Sequence, residues 1–254
     1  MSVSLVRRRF SAASASYDAE AEAQRQIASH LWALAAPHIA PAAAILEIGA
    51  GTGLLTQHIL SAQPGSLTVN DLYISPQVQA LKQQQPCVLF CREGDAETLD
   101  FCGPYDAICS ASTVQWFADI EGFFHRCARY LPKDGLLAFS SFLPGNLHEV
   151  TELTGVGLDY PCAAALQSYL ENDFELVAME QGEIMLDFAS PHDVLLHLRH
   201  TGVTGIRSVG WNKRRYLEFV DRYIARYGTE QGVRLTYRPV YVLASSKGNL
   251  CRNL

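Results

Sequence analysis

The sequence predicts an α/β fold, a doubly wound and mostly parallel sheet with helices on both faces. Short apolar runs alternate with helical periodicity through residue 142, the mark of strands covered on both sides. A glycine cluster directly follows the first of these runs, where a parallel strand turns into a helix. The composition agrees: 254 residues, 48% hydrophobic and 18% charged, supply a full core and an ordinary charged surface.

The first element is an amphipathic helix over 19–36. It has Ala23, Ile27, Leu31 and Leu34 at three-to-four spacing, Asp18 as N-cap and Pro37 as its stop. Strands are expected at 44–48, 67–71, 87–91, 106–111 and 135–142, separated by helical segments. At Pro144-Gly145-Asn146 the rhythm breaks. Helical patterns at 147–153 and 162–170 and strand-like alternation over 176–188 read as an insertion over the sheet. A helix at 192–200, a glycine-containing loop, a basic amphipathic helix at 213–227 and a last strand at 235–245 complete the chain. The whole is expected to form one domain, 1–254. Its parts are a helical cover (1–36), a ligand-binding core (37–143), an insertion and substrate region (144–210), and the basic helix with the final strand (211–254).

No apolar run approaches the roughly 18 residues of a membrane span, and Arg7, Arg8 and Arg9 are not followed by the apolar stretch of a signal peptide. A cytoplasmic protein with no membrane partner is expected. The seven cysteines lack a C-x-x-C pair and sit mostly inside apolar segments, so reduced core thiols are expected and a metal site is not. No pattern of interleaved aromatic and basic residues points to nucleic acid. The net charge of −6 is unevenly spread. Residues 201–254 hold ten Lys or Arg against Glu218, Asp221 and Glu230, whereas 1–200 hold ten basic against 23 acidic residues. Arg207, Lys213, Arg214, Arg215, Arg222 and Arg226 form either a docking surface for an acidic partner or a solvated helix face.

The strongest local signal is Glu47-Ile48-Gly49-Ala50-Gly51-Thr52-Gly53. Glycines there let the backbone turn sharply and approach a ligand at a helix N-terminus. The spacing is G-x-G-x-G, and Leu54 stands where the dinucleotide pattern needs its last glycine, which argues against NAD. The Glu47 carboxylate suits a ligand with a positive amino-acid group. Asp71, at the end of the second strand, is placed to accept from two ribose hydroxyls. Together they imply a cationic nucleoside. Taken singly, the glycines read as a tight turn, Asp71 as a strand-end residue and Asp95 as a loop or cap residue.

In this order the segments resemble the class I S-adenosylmethionine-dependent methyltransferases, whose first motif, second-strand acid and later Gly-Asp-Ala, here Gly94-Asp95-Ala96, all recur. The resemblance implies a seven-stranded Rossmann-like sheet, S-adenosylmethionine as cofactor and S-adenosylhomocysteine as product. By it, Glu47, Gly49, Gly51, Gly53, Asp71, Asp95, Ala96, Gln24 and Ser110 form the cofactor site, with Asp95 on the adenine amino group. After the fourth strand the chain reads Ser110-Ala111-Ser112-Thr113. It has neither the Asn/Asp-Pro-Pro-Tyr of base N-methyltransferases nor the Pro-Cys of cytosine-carbon methyltransferases.

A finer resemblance covers nearly the whole chain. It is carried by Phe10-Ser11, Tyr17-Asp18, Gln24-Arg25-Gln26-Ile27-Ala28, residues 45–55, and Ser112 to Phe117 with its Gln115-Trp116. It continues through 139–147, Leu198-Arg199-His200-Thr201-Gly202-Val203-Thr204 and Leu235-Thr236-Tyr237. These segments are similar to the malonyl-acyl-carrier-protein O-methyltransferases of biotin synthesis, with departures at Ile74-Ser75-Pro76 and His200. The resemblance implies methyl transfer to the free carboxylate of a malonyl thioester, a nucleophile already ionised at neutral pH. Tyr17 and Trp116 are expected as walls beside the reactive methyl and Arg199 as a fork for the carboxylate, with His200, Ser112 and Phe142 also on the substrate side. An acidic acyl carrier protein is expected to dock on the basic block. A quinone-ring or free polycarboxylate acceptor, and a cofactor-binding protein without turnover, remain open alternatives.

Overall fold

The structure is a computed structural model that describes residues 20–86, 88–201 and 210–248. Helix α1 (Glu22–Ala35) leads the fold. It is followed by β1 (Ala44–Ile48), α2 (Leu54–Ser61), β2 (Ser66–Asp71), α3 (Pro76–Gln84), β3 (Leu89–Glu93) and β4 (Ala107–Ser110). Then come α4 (Ile120–Ala128), β5 (Leu136–Phe142), α5 (His148–Thr154), α6 (Ala163–Leu170), β6 (Phe174–Gln181) and β7 (Ile184–Phe188). Helices α7 (Pro191–His200) and α8 (Lys213–Tyr227) and strands β8 (Gly228–Thr229), β9 (Gly232–Tyr237) and β10 (Pro239–Ser246) close the chain.

Seven strands form the central sheet in the order β3-β2-β1-β4-β5-β10-β6. Strands β1 to β5 pair in parallel, while β10 is antiparallel to both β5 and β6. This is the doubly wound sheet expected from the alternation, with one reversed strand near an edge. Residue parity decides what each face buries. Along β1, Ile45 enters the core under α1 and α2, while Leu46 and Ile48 enter the opposite core under α4 and α6. Glu47 shares the parity of Ile45, so its carboxylate points to the α2 side. Helix α1 buries Ala23, Gln24, Ile27, Ala28, Leu31 and Ala35. Burial of Ile27 alone stabilises the fold by about 2 kcal/mol.

Three expectations need correction. Strand β3 lies two residues beyond 87–91, its register with β2 running from Leu67↔Leu89 to Asp71↔Glu93, which sets buried Leu89 beside buried Leu67. The last strand, expected as one piece over 235–245, is two, divided at Arg238 before Pro239, which has no N–H for a ladder. The alternation over 176–188 is likewise two strands, parted by Gly182 and Glu183. These breaks match. Gln181 faces Val240, Ile184 faces Tyr237, and the Gly182 N–H donates to the Pro239 carbonyl at 2.8 Å. The end of the chain is therefore a long antiparallel ribbon that leaves the main sheet at this bend and forms a second, three-stranded sheet, β7-β9-β8.

Polar side chains set the helix starts. Ser75 Oγ accepts from the Val78 N–H with Pro76 beginning the helix, Asp119 accepts from Gly122, and Asn212 Oδ1 accepts from Arg215 at 3.0 Å. Helix α1 begins at Glu22 with Ala21 as a cap that makes no side-chain bond; Asp18 lies outside the described residues. Among the described residues no helix is long and apolar enough to cross a membrane.

Candidate functional site: a cleft at the strand ends

Parallel strands end on one edge of the sheet, and the loops leaving them line a cleft. The loop after β1 uses three left-handed glycines, Gly49 (φ 76°), Gly51 (φ 55°) and Gly53 (φ 93°). Gly49 has no room for a side chain, since a Cβ there would stand 2.0 Å from Thr113 Oγ1; one on Gly53 would make a tight contact, 3.1 Å from Leu81 Cδ1. At Gly51 a Cβ would meet nothing within 4 Å, so bare backbone faces the cleft there. The turn is anchored on β2. Gly49 and Ala50 donate to the Asn70 carbonyl at 2.8 and 3.0 Å, and the Gly51 N–H donates to Asp71 Oδ2 at 2.8 Å.

Asp71 also accepts from the Tyr73 N–H at 3.1 Å. Burial raises its pKa, and the bonds from Gly51 and Tyr73 oppose that shift. The neighbouring Asn70 amide donates to the carbonyls of Arg92 and Gly94, which ties the third loop to the second. Asp95 and Ala96 sit on that third loop, with Asp95 Oδ1 accepting from the Glu97 N–H at 3.0 Å. Glu97 in turn accepts from the N–H groups of Ala118 and Asp119, joining the third loop to the one after β4. That last loop contributes Ser112, Thr113 and Trp116 to the wall.

The cleft thus brings together Gly49, Gly51, Asp71, Asp95, Ala96, Ser112 and Trp116 from the sequence reading. The other residues are placed elsewhere. Glu47 stands behind the glycine loop, 1% exposed, accepting from Thr56 Oγ1 at 2.7 Å. Burial raises its pKa to about 8, the Thr56 hydroxyl opposes the shift and nearby Asp71 adds to it. Gly53 serves as the N-cap position of α2. Ser110 does not line the cleft; its hydroxyl donates to the Ile48 carbonyl at 2.9 Å and joins β4 to β1. Gln24 is buried in the face of α1, its amide oxygen without a hydrogen-bond partner among the described residues. Phe142 is core, packed on Tyr160 and Tyr237.

Arg199 lies on the exposed side of α7, because Val194, His197 and Leu198 occupy the buried side. His200 has its Nδ1 3.9 Å from Glu20, which also approaches His197 at 3.7 Å. Tyr17, Arg207 and Arg7 to Arg9 lie outside the described residues. On α8, Lys213, Arg214, Arg215, Arg222 and Arg226 are all exposed. Arg214 pairs with Glu218, Arg226 with Glu152, and Arg215 donates to the Gly210 carbonyl.

The sequence reading missed Thr113, Asn70 and Glu97. Thr113 donates to the carbonyls of Ala111 (3.1 Å) and Gly49 (3.4 Å), so it spaces the first and fourth loops. Asn70 and Glu97 work through backbone groups of other loops, a role with no local spacing signal. Among the described residues no group of three or more metal-ligating side chains occurs.

Comparison with known proteins agrees with this geometry. Residues 46–139 match the family described as "Methyltransferase domain". A malonyl-[acyl-carrier protein] O-methyltransferase of Haemophilus ducreyi is 39% identical over 96% of this chain and 96% of its own. Proteins of the same name from Bacteroides thetaiotaomicron (35%, 97% and 99%) and Haemophilus influenzae (36%, 95% and 94%) are similar over comparable spans. Among solved structures, the YcgJ protein of Bacillus subtilis superposes with a TM-score of 0.62 at 14% identity, covering 87% of this chain and 100% of that one. The N-methyltransferase NodS of Bradyrhizobium japonicum, solved with S-adenosyl-L-homocysteine, superposes at 0.51 and 13% identity over 87% and 86%. At such identities the structures show the fold.

Proposed function

Since the chain belongs to the malonyl-[acyl-carrier protein] O-methyltransferase family, we propose that it transfers a methyl group from S-adenosylmethionine to the free carboxylate of a malonyl thioester. The observation that carries this reading is the cleft itself: a bare-backbone turn at Gly51 beside Asp71, lined also by Thr52 and Ser112, whose buried hydroxyls have no hydrogen-bond partner among the described residues. A buried hydroxyl without a hydrogen bond costs about 1–3 kcal/mol, a cost that a polar ligand reaching it would relieve.

The residues fit the cofactor. S-adenosylmethionine, when bound, supplies an electrophilic methyl on a sulfonium. Asp71 keeps lone pairs free beside its two backbone bonds and takes the ribose hydroxyls. Asp95 and Ala96 take the adenine edge and face. The loop from Gly49 to Gly53 lets the backbone approach the amino-acid end, with the Glu47 carboxyl behind it, protonated in the ligand-free protein and turned towards its ionised form by a bound cation. Trp116, on the wall, offers a π face to the cation. Tyr17 is proposed for the same enclosure.

A malonyl carboxylate is ionised at neutral pH, so the protein need only desolvate and aim it. Of the groups considered for the acceptor, Ser112 lines the cleft, while Arg199 and Phe142 do not. We therefore assign the Ser112 hydroxyl as the donor to the carboxylate oxygen that does not attack. The exposed cations of α8 are proposed to receive an acidic carrier protein, and the site of action to be the cytoplasm. Intact-mass spectrometry of malonyl-acyl carrier protein after incubation with the protein and S-adenosylmethionine tests the whole reading. One added methyl, removable by mild base and absent from an acetyl control, is expected; no added methyl while the cofactor still binds excludes this acceptor.

A further inference from the structure

Ser112 departs from ordinary backbone geometry. Its φ is +53°, in the left-handed region where a residue with a Cβ is strained and persists only if its surroundings hold it. It is held from both sides. Its N–H donates to Ser140 Oγ on β5 at 3.0 Å, and its carbonyl accepts from Gln115 Nε2 at 2.7 Å. The Gln115 side chain reaches back across the short 3₁₀ turn Val114–Trp116 and closes a ring with the backbone at Ser112, which lines the cleft. Gln115 does not line the cleft. Its amide oxygen has no hydrogen-bond partner, so the contact to Ser112 is the bond the amide makes in the described structure.

We propose that Gln115 is a positioning residue for the acceptor: through the Ser112 main chain it holds the Ser112 hydroxyl where the malonyl carboxylate arrives. The inference rests on the carboxylate reading above and deepens it. Nothing in the chemistry of the cleft needs a glutamine amide, but a strained serine with a free hydroxyl needs something to hold its backbone. A side-chain N–H on its carbonyl does so without occupying ligand space. A leucine at 115 has similar bulk and no donor. A glutamate has the shape and repels the carbonyl.

The test is steady-state kinetics on malonyl-acyl carrier protein with separate calorimetric titration of S-adenosylmethionine, for Gln115→Leu, Ser112→Ala and the double variant. Loss of a hydrogen bond to a charged acceptor is expected to raise KM for the malonyl thioester about tenfold in each single variant. Cofactor Kd should be unchanged, and the double variant no worse than Ser112→Ala, because Gln115 acts through that hydroxyl. Losses that multiply in the double variant, an unchanged KM in Gln115→Leu, or a loss confined to cofactor Kd would overturn the role. Ser140→Ala releases Ser112 from its other side and is read the same way should Gln115→Leu fold poorly. Absence of methyl ester from the unaltered protein would instead remove the carboxylate reading itself, and this role with it.

Discussion

The loops at the ends of β1 to β4 and the ribbon formed by β6, β7, β9 and β10 are built on different principles. The first region works through backbone. Left-handed glycines, N–H groups of Gly49 to Gly51 and carbonyls of Asn70 and Ala111 make the turn, and side chains such as Thr113 only tie loops together. The second works through buried side-chain pairs from distant segments. His197 meets the Tyr237 hydroxyl at 2.8 Å, Thr236 donates to Glu149 at 2.6 Å, and Asn146 bonds both Tyr160 and the Arg238 N–H. A ligand held by backbone tolerates change in the side chains around it but not in the glycines. A region held by paired polar side chains depends on each pair being complete, because breaking one leaves a buried group unsatisfied.

The sharpest way to break the comparison is at the glycines. Gly49→Ala should cost roughly 3 kcal/mol or more, from a strained left-handed residue and overlap with the Thr113 side chain. Thermal unfolding should show the drop and calorimetry the loss of cofactor binding. Gly51→Ala is the control. Its Cβ enters open space, so stability should fall far less than in Gly49→Ala while cofactor affinity falls, because the methyl stands where the ligand approaches. Equal destabilisation in the two variants would refute the distinction between a packed and a ligand-facing glycine.

A second effect concerns protons at the same turn. Burial raises Glu47 from an ordinary 4.5 to about 8, so the folded, ligand-free protein holds a proton that the unfolded chain releases. Stability from this group is therefore complete below about 4.5 and is lost progressively as pH rises to about 8. A cation bound near the loop favours the ionised carboxylate, so cofactor binding should release a proton below pH 8 and affinity should climb from about pH 6 to 8. Glu47→Gln keeps an acceptor for the Thr56 hydroxyl and removes the titration. A variant that retains the full pH slope in unfolding and binding would show that another group supplies it.

The same contrast explains what could be read from sequence. Gly49-Ala50-Gly51-Thr52-Gly53, Asp71 and Gly94-Asp95-Ala96 are local signals because each acts where its strand ends, and the order of strands is legible from alternating apolar runs. Ser110 has suitable chemistry in a suitable segment, yet its hydroxyl is spent on the Ile48 carbonyl inside the sheet, and Gln24 is buried in the face of α1, placements that periodicity alone does not supply. Arg199 stands on a helix that the sequence predicts, while which side of it is buried is set by Val194 and Leu198 and leaves the arginine exposed. The division of the last strand at Arg238 has a local mark in Pro239, but its pairing with the break at Gly182 is a long-range match that no local window shows.

A smaller effect is expected on α8. Lys213 and Arg222 are exposed, so reversing both charges to Glu should raise KM for carrier-linked substrate several-fold and leave the coenzyme A substrate unchanged. The difference should vanish at high salt, as steering between exposed charges is screened. Equal effects on both substrates would mean that the basic face serves something other than docking.

The smallest prediction tests whether the two regions are energetically separate. Asn212 Oδ1 caps α8 through the Arg215 N–H at 3.0 Å, and Asn212→Ala should cost about 1 kcal/mol of stability. Helix α8 packs on α5, α7, β8 and β9, whereas the cleft is lined by the loops that follow β1 to β4. Cofactor Kd should therefore be unaltered, while the loss appears in thermal unfolding and in hydrogen exchange confined to α8 and β9. Weaker cofactor binding in this variant would show that the ribbon supports the backbone-built cleft, and the two regions would then be one cooperative unit rather than two ways of building a site.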